Sequence, residues 1–419
     1  MISDEAGDER RIYVGLARHT GDEVQPAGLM KLVRRGVVES GEFAYGRRYL
    51  QDPAALPLNP EQLPLRDAAF TLPERRIREG GAMPLTLRDA LPDSWGRKVL
   101  EIRHGKPLSD IDALLLTNED RIGAMVFAEA LPIQSEEPPS MLWSLEELAE
   151  ASRRVEEGME IGPDMHLLRG GSLGGARPKA AFAHEGRRYI AKFSSRGDDH
   201  DVEVIEAATL WLASACGIRV PAFLLQPLAF GHALLVERFD RTGPVNDEQR
   251  HHYLSASALL DVPYESSRGS YVELAQLLRR ISARPQEDLT ELFRRLVFNL
   301  AVGNSDDHVK NHGALRQGDG PWRLAPAFDL VMQLGGHTGY QELAILPGQH
   351  ASSLALARAA APHFGLSAAE ADRIIRRTEE TVSVQAAASV EASGGNRELV
   401  RRVAAFIEQQ YDRIRAQGL

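Results

Sequence analysis

The spacing of apolar positions changes along this chain, and each change marks a different kind of structure. In residues 11 to 16, RIYVGL, and 41 to 50, GEFAYGRRYL, aromatic and branched side chains gather in short runs separated by glycine and polar residues, which predicts strands of a small β-containing module. Asp52 to Pro73 is too dense in proline to be one regular element, whereas LTLRDALPDSWGRKVLEI has helical spacing interrupted at Pro92. The acidic, proline-containing segment Pro132 to Pro139 reads as a surface linker that closes this first module.

From Leu167 the order is a glycine-rich turn, the run AAFAHEGRRYIAKF with a central turn at His184 to Gly186, a helix over EVIEAATLWLASACGI, then strands AFLLQPLAF and HALLVERFD. Beyond Asp240 the spacing is mostly helical: YVELAQLLRRI, EDLTELFRRLVFNLAV, and SAAEADRIIRRTEE, where Ser367 and Glu370 form a capping-box pattern. Gly394 and Gly395 fit a break between the last two helices. The expected class is α+β: an N-terminal β-containing module over 1–135, a mixed α/β unit over 136–240, and an all-helical unit over 241–419.

Composition narrows the partners. A chain of 419 residues, 43% hydrophobic, can bury a large core. Its formal charge of -10 argues against a surface that itself binds nucleic acid or anionic membrane. The single cysteine, Cys216, excludes an intrachain disulfide, and MISDEAGDERR carries acids where a signal peptide has basic and apolar regions, so a cytoplasmic protein is expected. No apolar run approaches the ~20 residues that cross a bilayer.

The chemistry concentrates in GNSDDHVKN at 303 to 311 and LAPAFDL at 324 to 330. An acid, an amide five residues on and a second acid beyond is the spacing that phosphoryl transfer on a protein-kinase-like, bilobal scaffold requires. Asp306 would accept the proton of an attacking hydroxyl, while Asn311 and Asp329 hold magnesium against the phosphates of ATP. A polar loop after an apolar helix would share part of this pattern, but not the interval and the second acid together. His308 and Lys310 read as support residues, His308 on the nucleotide side.

RGGSLGGARPKA places Gly170, Gly171, Gly174 and Gly175 around Ser172, so backbone amides can approach a phosphate unobstructed. It matches neither a Walker A loop nor GxGxxG, and a tight hairpin turn would read the same way. Lys192, among apolar strand neighbours in YIAKF, needs a counter-charge unless it lies on an open edge. Glu206 on the following helix is the natural partner in a kinase scaffold, and Glu203, one turn earlier, is the rival. In LLVERFDR the backbone near Glu237 and Phe239 is placed to meet an adenine edge, although a strand end closed by an Arg238 and Asp240 pair predicts the same residues.

With these segments in hand, the chain resembles the HipA family of serine/threonine kinases, the toxins of bacterial toxin and antitoxin modules. NEDRIGAMVF at 118 to 127, GGSLGGARPKA at 170 to 180, YIAKF at 189 to 193, LLVERFDR at 234 to 241, GNSDDHVKN and LAPAFDL stand in the family's order, and LPDSWGRKVL looks like its N-terminal subdomain. The resemblance implies that Asp306 is the catalytic base, that Asn311 and Asp329 bind magnesium, and that Lys192 contacts the nucleotide phosphates. It also implies autophosphorylation on Ser172, a substrate serine in a translation enzyme such as an aminoacyl-tRNA synthetase, and neutralisation by a helix-turn-helix antitoxin of HipB type that carries most of the contact with operator DNA. Val309 and His312 depart from the residues more usual at those loop positions. Two other readings are a non-catalytic nucleotide-binding regulator of a DNA-binding partner and a HipA-like kinase that is not a toxin.

Overall fold

A computed structural model describes residues 8–19, 23–117, 121–134, 143–159, 175–245, 247–318, 320–335 and 339–417. The first part runs β1 (Asp8–Leu16), β2 (Glu23–Val24), β3 (Pro26–Arg35), β4 (Val38–Tyr45), α1 (Arg47–Gln51), β5 (Phe70–Arg76), α2 (Leu85–Arg88), α3 (Ser94–His104), α4 (Asp110–Leu116), β6 (Met125–Ala128) and β7 (Ile133–Gln134). Five of these strands form an antiparallel sheet in the order β5-β4-β3-β1-β6, and β2 pairs with β7. The expected strand over 41 to 50 is only half a strand. It turns helical at Arg47, which brings Tyr49 one turn past Tyr45, where the two rings stack at 6.1 Å. Their hydroxyls then satisfy the proline-rich segment: Tyr49 donates to the Leu56 carbonyl at 2.8 Å and Tyr45 accepts from the Leu58 amide at 2.8 Å. The expected break at Pro92 falls between α2 and α3, and Asp93 caps α3 by accepting from the Gly96 amide at 3.1 Å.

Next come α5 (Leu145–Glu156), β8 (Lys179–His184), β9 (Arg187–Phe193), α6 (Val202–Ala215), β10 (Phe223–Pro227) and β11 (His232–Glu237). The hairpin turn sits where the sequence places it, at Glu185 and Gly186, with φ of 48° and 74°. These strands make an antiparallel sheet in the order β10-β11-β9-β8. Alternation along them serves two cores. Ala180, Ala191, Phe193, Ala233 and Leu235 pack against Trp95 and Val99 of α3 and Leu148, Ala151 and Val155 of α5, while Leu234 and Val236 join the main core with α6. Helix α3 of the first part therefore covers a face of the second sheet.

The remainder holds β12 (Arg241–Thr242), β13 (Gln249–Arg250), β14 (His252–Ser255), α7 (Ala256–Leu260), α8 (Tyr271–Ile281), α9 (Pro285–Ala301), β15 (Gly313–Arg316), β16 (Trp322–Leu324), α10 (Leu354–Ala360), α11 (Ala368–Ala392) and α12 (Arg397–Ala416). The mixed α/β class stands, but this part is not all-helical. A three-stranded sheet, β14-β15-β16, lies inside it. Its strands are three or four residues long, too short for period-two alternation to register. Structurally the sheet is decisive, because β15 begins two residues after Asn311 and β16 leads into Asp329. The capping box of Ser367 and Glu370 is formed, and the break before α12 passes through Gly394 at φ +88°.

Candidate functional site

Helix α9 is buried for most of its length and ends in the loop at 303 to 311. Gly303 makes that exit possible. Its φ is +64°, and a Cβ there would stand 2.6 Å from the Phe406 ring of α12. Gln410, also on α12, donates to the Leu300 carbonyl at 2.7 Å, so the C-terminal helix fixes the end of α9. Asn304 then folds back, its amide nitrogen donating to Asn299 Oδ1 at 3.2 Å.

The two adjacent acids separate cleanly. Asp307 points into the core, where His312 Nε2 meets it at 2.8 Å and the Tyr271 hydroxyl donates to its other oxygen. Burial opposes its charge, yet His312, Tyr271 and Asn299 hold the carboxyl below its usual range. Asp306 is the accessible one. Partial desolvation pushes its carboxyl upward, His308 opposes this, and the nearby carboxylates Asp329, Glu342 and Asp307 add to the rise. Asn311 is tied to Asp306 directly, its side-chain nitrogen donating to the Asp306 carbonyl at 2.8 Å, which leaves the amide oxygen as its remaining acceptor.

Across from this loop, Lys192 on β9 donates to Glu206 of α6 at 2.6 Å and also contacts Asp329. The rivalry between Glu203 and Glu206 is resolved by other partners. Glu203 accepts from the Ser194 hydroxyl at 2.6 Å and lies 3.5 Å from Arg177, leaving Glu206 to Lys192. Burial alone would lower the Lys192 pKa, but Asp329 and Glu206 outweigh it and hold the ammonium above its ordinary range. Burial also raises Glu206 against the pull of Lys192. For Asp329 the two lysines, Lys192 and then Lys179, overcome burial and keep the carboxyl low. Asp329 adopts φ +52°, a left-handed conformation uncommon outside glycine and associated with functional turns.

Other expected site residues fall around this centre. The His308 ring lies within charge range of both Asp306 and Asp329, packs on Tyr264 at 5.7 Å, and its buried Nδ1 has no hydrogen-bond partner among the described residues. Phe239 packs on Phe328, the residue before Asp329, with centroids 5.6 Å apart. Glu237 turns away to Arg187 at 2.7 Å, and its backbone amide donates to the Ala222 carbonyl at 2.7 Å. Arg238 and Asp240 do pair, at 2.7 Å, in the interior. Gly175 lies at the mouth of β8 with φ +106°. Gly171, Ser172 and Gly174 lie outside the described residues.

Sequence reasoning missed Lys179 and Asp93. Lys179 stands directly opposite Lys192 in the β8 and β9 register, and its amine is 3.6 Å from Asp93. The only signal was the lysine at the end of GGARPK, which lacks the Walker A context.

The donor set suits a polyphosphate and a hard cation. A partly buried ammonium, one carboxylate and one amide oxygen supply a phosphate contact and two oxygen ligands, the number magnesium takes from protein when phosphates and water complete its shell. At Gly175 a Cβ would stand 2.3 Å from the Lys179 amine, so the close approach of backbone and ammonium requires glycine there.

Residues 171–386, which hold Lys179, Lys192, Glu206, Asp306, Asn311 and Asp329, match the HipA-like C-terminal domain. Two proteins of Sinorhizobium fredii are similar over longer spans. The one named "Putative kinase Y4mE" is 29% identical over 324 residues, covering 69% of this chain and 71% of its own length. The one named "Putative kinase Y4dM" is 24% identical over 383 residues, covering 87% and 90%. Among solved structures, the HipA, HipB and operator DNA complex of a Shewanella oneidensis MR-1 toxin antitoxin system contains a chain of similar fold. That likeness has a TM-score of 0.67 and 18% identity, over 95% of this chain and 96% of the other. A domain match spanning more than half of the residues, on a fold shared with HipA, establishes that this chain belongs to the HipA-like family.

Proposed function

We propose that this chain is an ATP- and magnesium-dependent serine/threonine protein kinase that acts as a HipA-like toxin. The observation that carries the reading is Lys192, a partly buried lysine engaged by Glu206 and Asp329 together. An ammonium held that way is oriented toward phosphate instead of being an edge-strand solubilising group. Glu206 positions Lys192, and Lys192 grips the nucleotide phosphates. Asp306, accessible and with its carboxyl shifted upward, accepts the proton of the attacking hydroxyl. Asn311 and Asp329 would hold magnesium, which when bound neutralises charge on the phosphates. Gly171, Gly174 and Gly175 would offer backbone amides to the phosphates, and His308 and the backbone at Glu237 and Phe239 would complete the nucleotide side.

Ser172 is the proposed site of autophosphorylation: a phosphate there would hold the glycine-rich turn away from the nucleotide and switch the enzyme off. The proposed partner is a helix-turn-helix antitoxin of HipB type that contacts operator DNA, a reading supported by the fold shared with HipA of the Shewanella complex and by the acidic balance of this chain. The proposed substrate is a serine of a translation enzyme such as an aminoacyl-tRNA synthetase.

Transfer of radiolabel from ATP in the presence of magnesium tests the central step. Wild type is expected to label itself or a protein substrate, and Asp306→Asn to do so about 10²–10⁴-fold more slowly, the usual loss on removing a positioned general base. Equal labelling by both would contradict the assignment. Thermal stabilisation by ATP without any transfer would favour the nucleotide-binding regulator.

A further inference from the structure

A cavity of about 490 Å³ opens between the C-terminal end of α6, the first half of α9 and the first half of α11, and none of the residues lining it belongs to the site described above. On α9 the lining steps from Gln286 through Thr290 to Arg294, about 10 to 22 Å before the helix ends at Ala301, given the rise per residue of an α-helix. A space of this size holds a small organic molecule.

Three guanidinium groups line it: Arg294 from α9, half-buried, and Arg373 and Arg377 from α11, both exposed. The α11 pair stands one turn apart on one helix, where like charges repel. None of the three forms an ion pair among the described residues. The acids nearby in sequence are committed elsewhere. Glu291 accepts from Arg219 at 2.5 Å and also from Arg295, Asp288 accepts from Arg323 at 2.8 Å, and Asp372 accepts from Arg358 at 2.6 Å. Glu370, the one carboxylate in the lining, lies within charge range of Arg373, but it caps α11 by accepting from the Ser367 amide and hydroxyl at 2.8 and 2.6 Å. The Cys216 thiol lies within charge range of Arg377, yet burial pushes it up to about 11, so it stays neutral.

Three guanidiniums against one carboxylate are a local excess of positive charge in a chain whose formal charge is -10. A cleft lined by one sign of charge gathers counter-ions, and guanidinium groups match phosphate oxygens two at a time. A phosphate group brings close to two charges where a carboxylate brings one, which suits three cations on a small wall. Leu366 and Ile374 supply an apolar surface for the rest of such a molecule.

We propose that this cavity binds a small phosphorylated molecule, held through its phosphate groups by Arg294, Arg373 and Arg377, at a site separate from the nucleotide site. The assignment does not depend on the kinase reading.

Calorimetric titration of the full chain with inorganic pyrophosphate tests it, on wild type, Arg294→Gln, and a double variant carrying Arg373→Gln and Arg377→Gln. The double variant is expected to weaken pyrophosphate at least tenfold and Arg294→Gln by a smaller factor, while both keep radiolabel transfer from ATP within twofold of wild type. Without ligand the double variant should melt no lower than wild type, because a repulsion has been removed, and pyrophosphate should raise the Tm of wild type alone. Equal pyrophosphate binding by all three folded proteins, or none by wild type at millimolar concentration, overturns the proposal. So does a parallel fall of pyrophosphate binding and phosphoryl transfer, which would mean that the two sites are one. Duplex DNA held more tightly than pyrophosphate, and released by the same substitutions, would make the surface a nucleic-acid contact and likewise overturn it. If wild type transfers no phosphate at all, the kinase reading fails and the pyrophosphate comparison still decides the cavity.

Discussion

At the scale of single residues, neighbours in sequence have been given different work. Asp306 and Asp307 are adjacent, yet one is exposed and the other is consumed by His312 and Tyr271. Counting back from Asn311 selects the open one, but what occupies Asp307 becomes apparent only when α8 is packed beside the loop. Buried histidines illustrate a different consequence of packing. His252 donates through Nε2 to the Leu58 carbonyl at 2.8 Å, lies against Trp322 at 5.2 Å, and its buried Nδ1 has no hydrogen-bond partner among the described residues. Burial pulls its pKa from 6.5 down to about 4, with the Leu58 bond opposing and Arg316 assisting. The folded protein therefore keeps His252 neutral while the unfolded chain takes up a proton first. That stability is fully present above about pH 6.5 and is lost as pH falls toward about 4, roughly 3 kcal/mol over the interval. Urea unfolding of wild type and His252→Gln from pH 7 to pH 4 should show the difference between them shrinking by this order as the solution is acidified. Parallel pH profiles would show that His252 is not buried neutral.

At the scale of elements, two motifs that are far apart in sequence are joined by one carboxylate. Asp240, after β11, is buried and accepts from Arg238 and Arg241 at 2.7 Å each and from the Gly123 amide at 2.7 Å. Both arginines also donate to the Arg121 carbonyl, at 2.9 and 2.8 Å, and Arg250 reaches the Gly123 carbonyl at 3.0 Å. Asp240→Ala would leave Arg238 and Arg241 without their shared counter-charge in the interior, and a loss of roughly 3–5 kcal/mol is expected from equilibrium denaturation. A variant within about 1 kcal/mol of wild type would mean that water already compensates these charges. Legibility at this scale followed the strength of local signals. The β8–β9 hairpin was readable because His184, Glu185 and Gly186 interrupt two alternating runs, and α11 because Ser367 and Glu370 announce its start. The sheet β14-β15-β16 was not, since short strands carry no period and are held by long-range pairing. Of the candidate site, Lys192, Glu206, Asp306, Asn311 and Asp329 were legible from type and interval. The pairing of Lys179 with Asp93 was hidden, because nothing local in either segment refers to the other.

At the scale of the whole molecule, one hydrophobic cluster draws on every part of the described chain, with smaller clusters beside it. The main cluster runs from Ile12 to Ile414, and the second sheet is covered on one face by α3 from the first part and α5, and on the other by α6. Cover from several parts of the chain is what brings Asp93, Lys179, Lys192, Asp306 and Asp329 within charge range of their neighbours in that set. Among the described residues no helix is long and apolar enough to cross a membrane. The claim on which the functional reading depends is that these groups surround a nucleoside triphosphate. A crystal structure with magnesium and a non-hydrolysable ATP analogue tests it most directly. The terminal phosphates should lie against Lys192, with the metal on Asn311 and Asp329 and the γ-phosphate facing Asp306. A nucleotide bound on another surface, or phosphates turned away from Lys192 and Asp329, would contradict it.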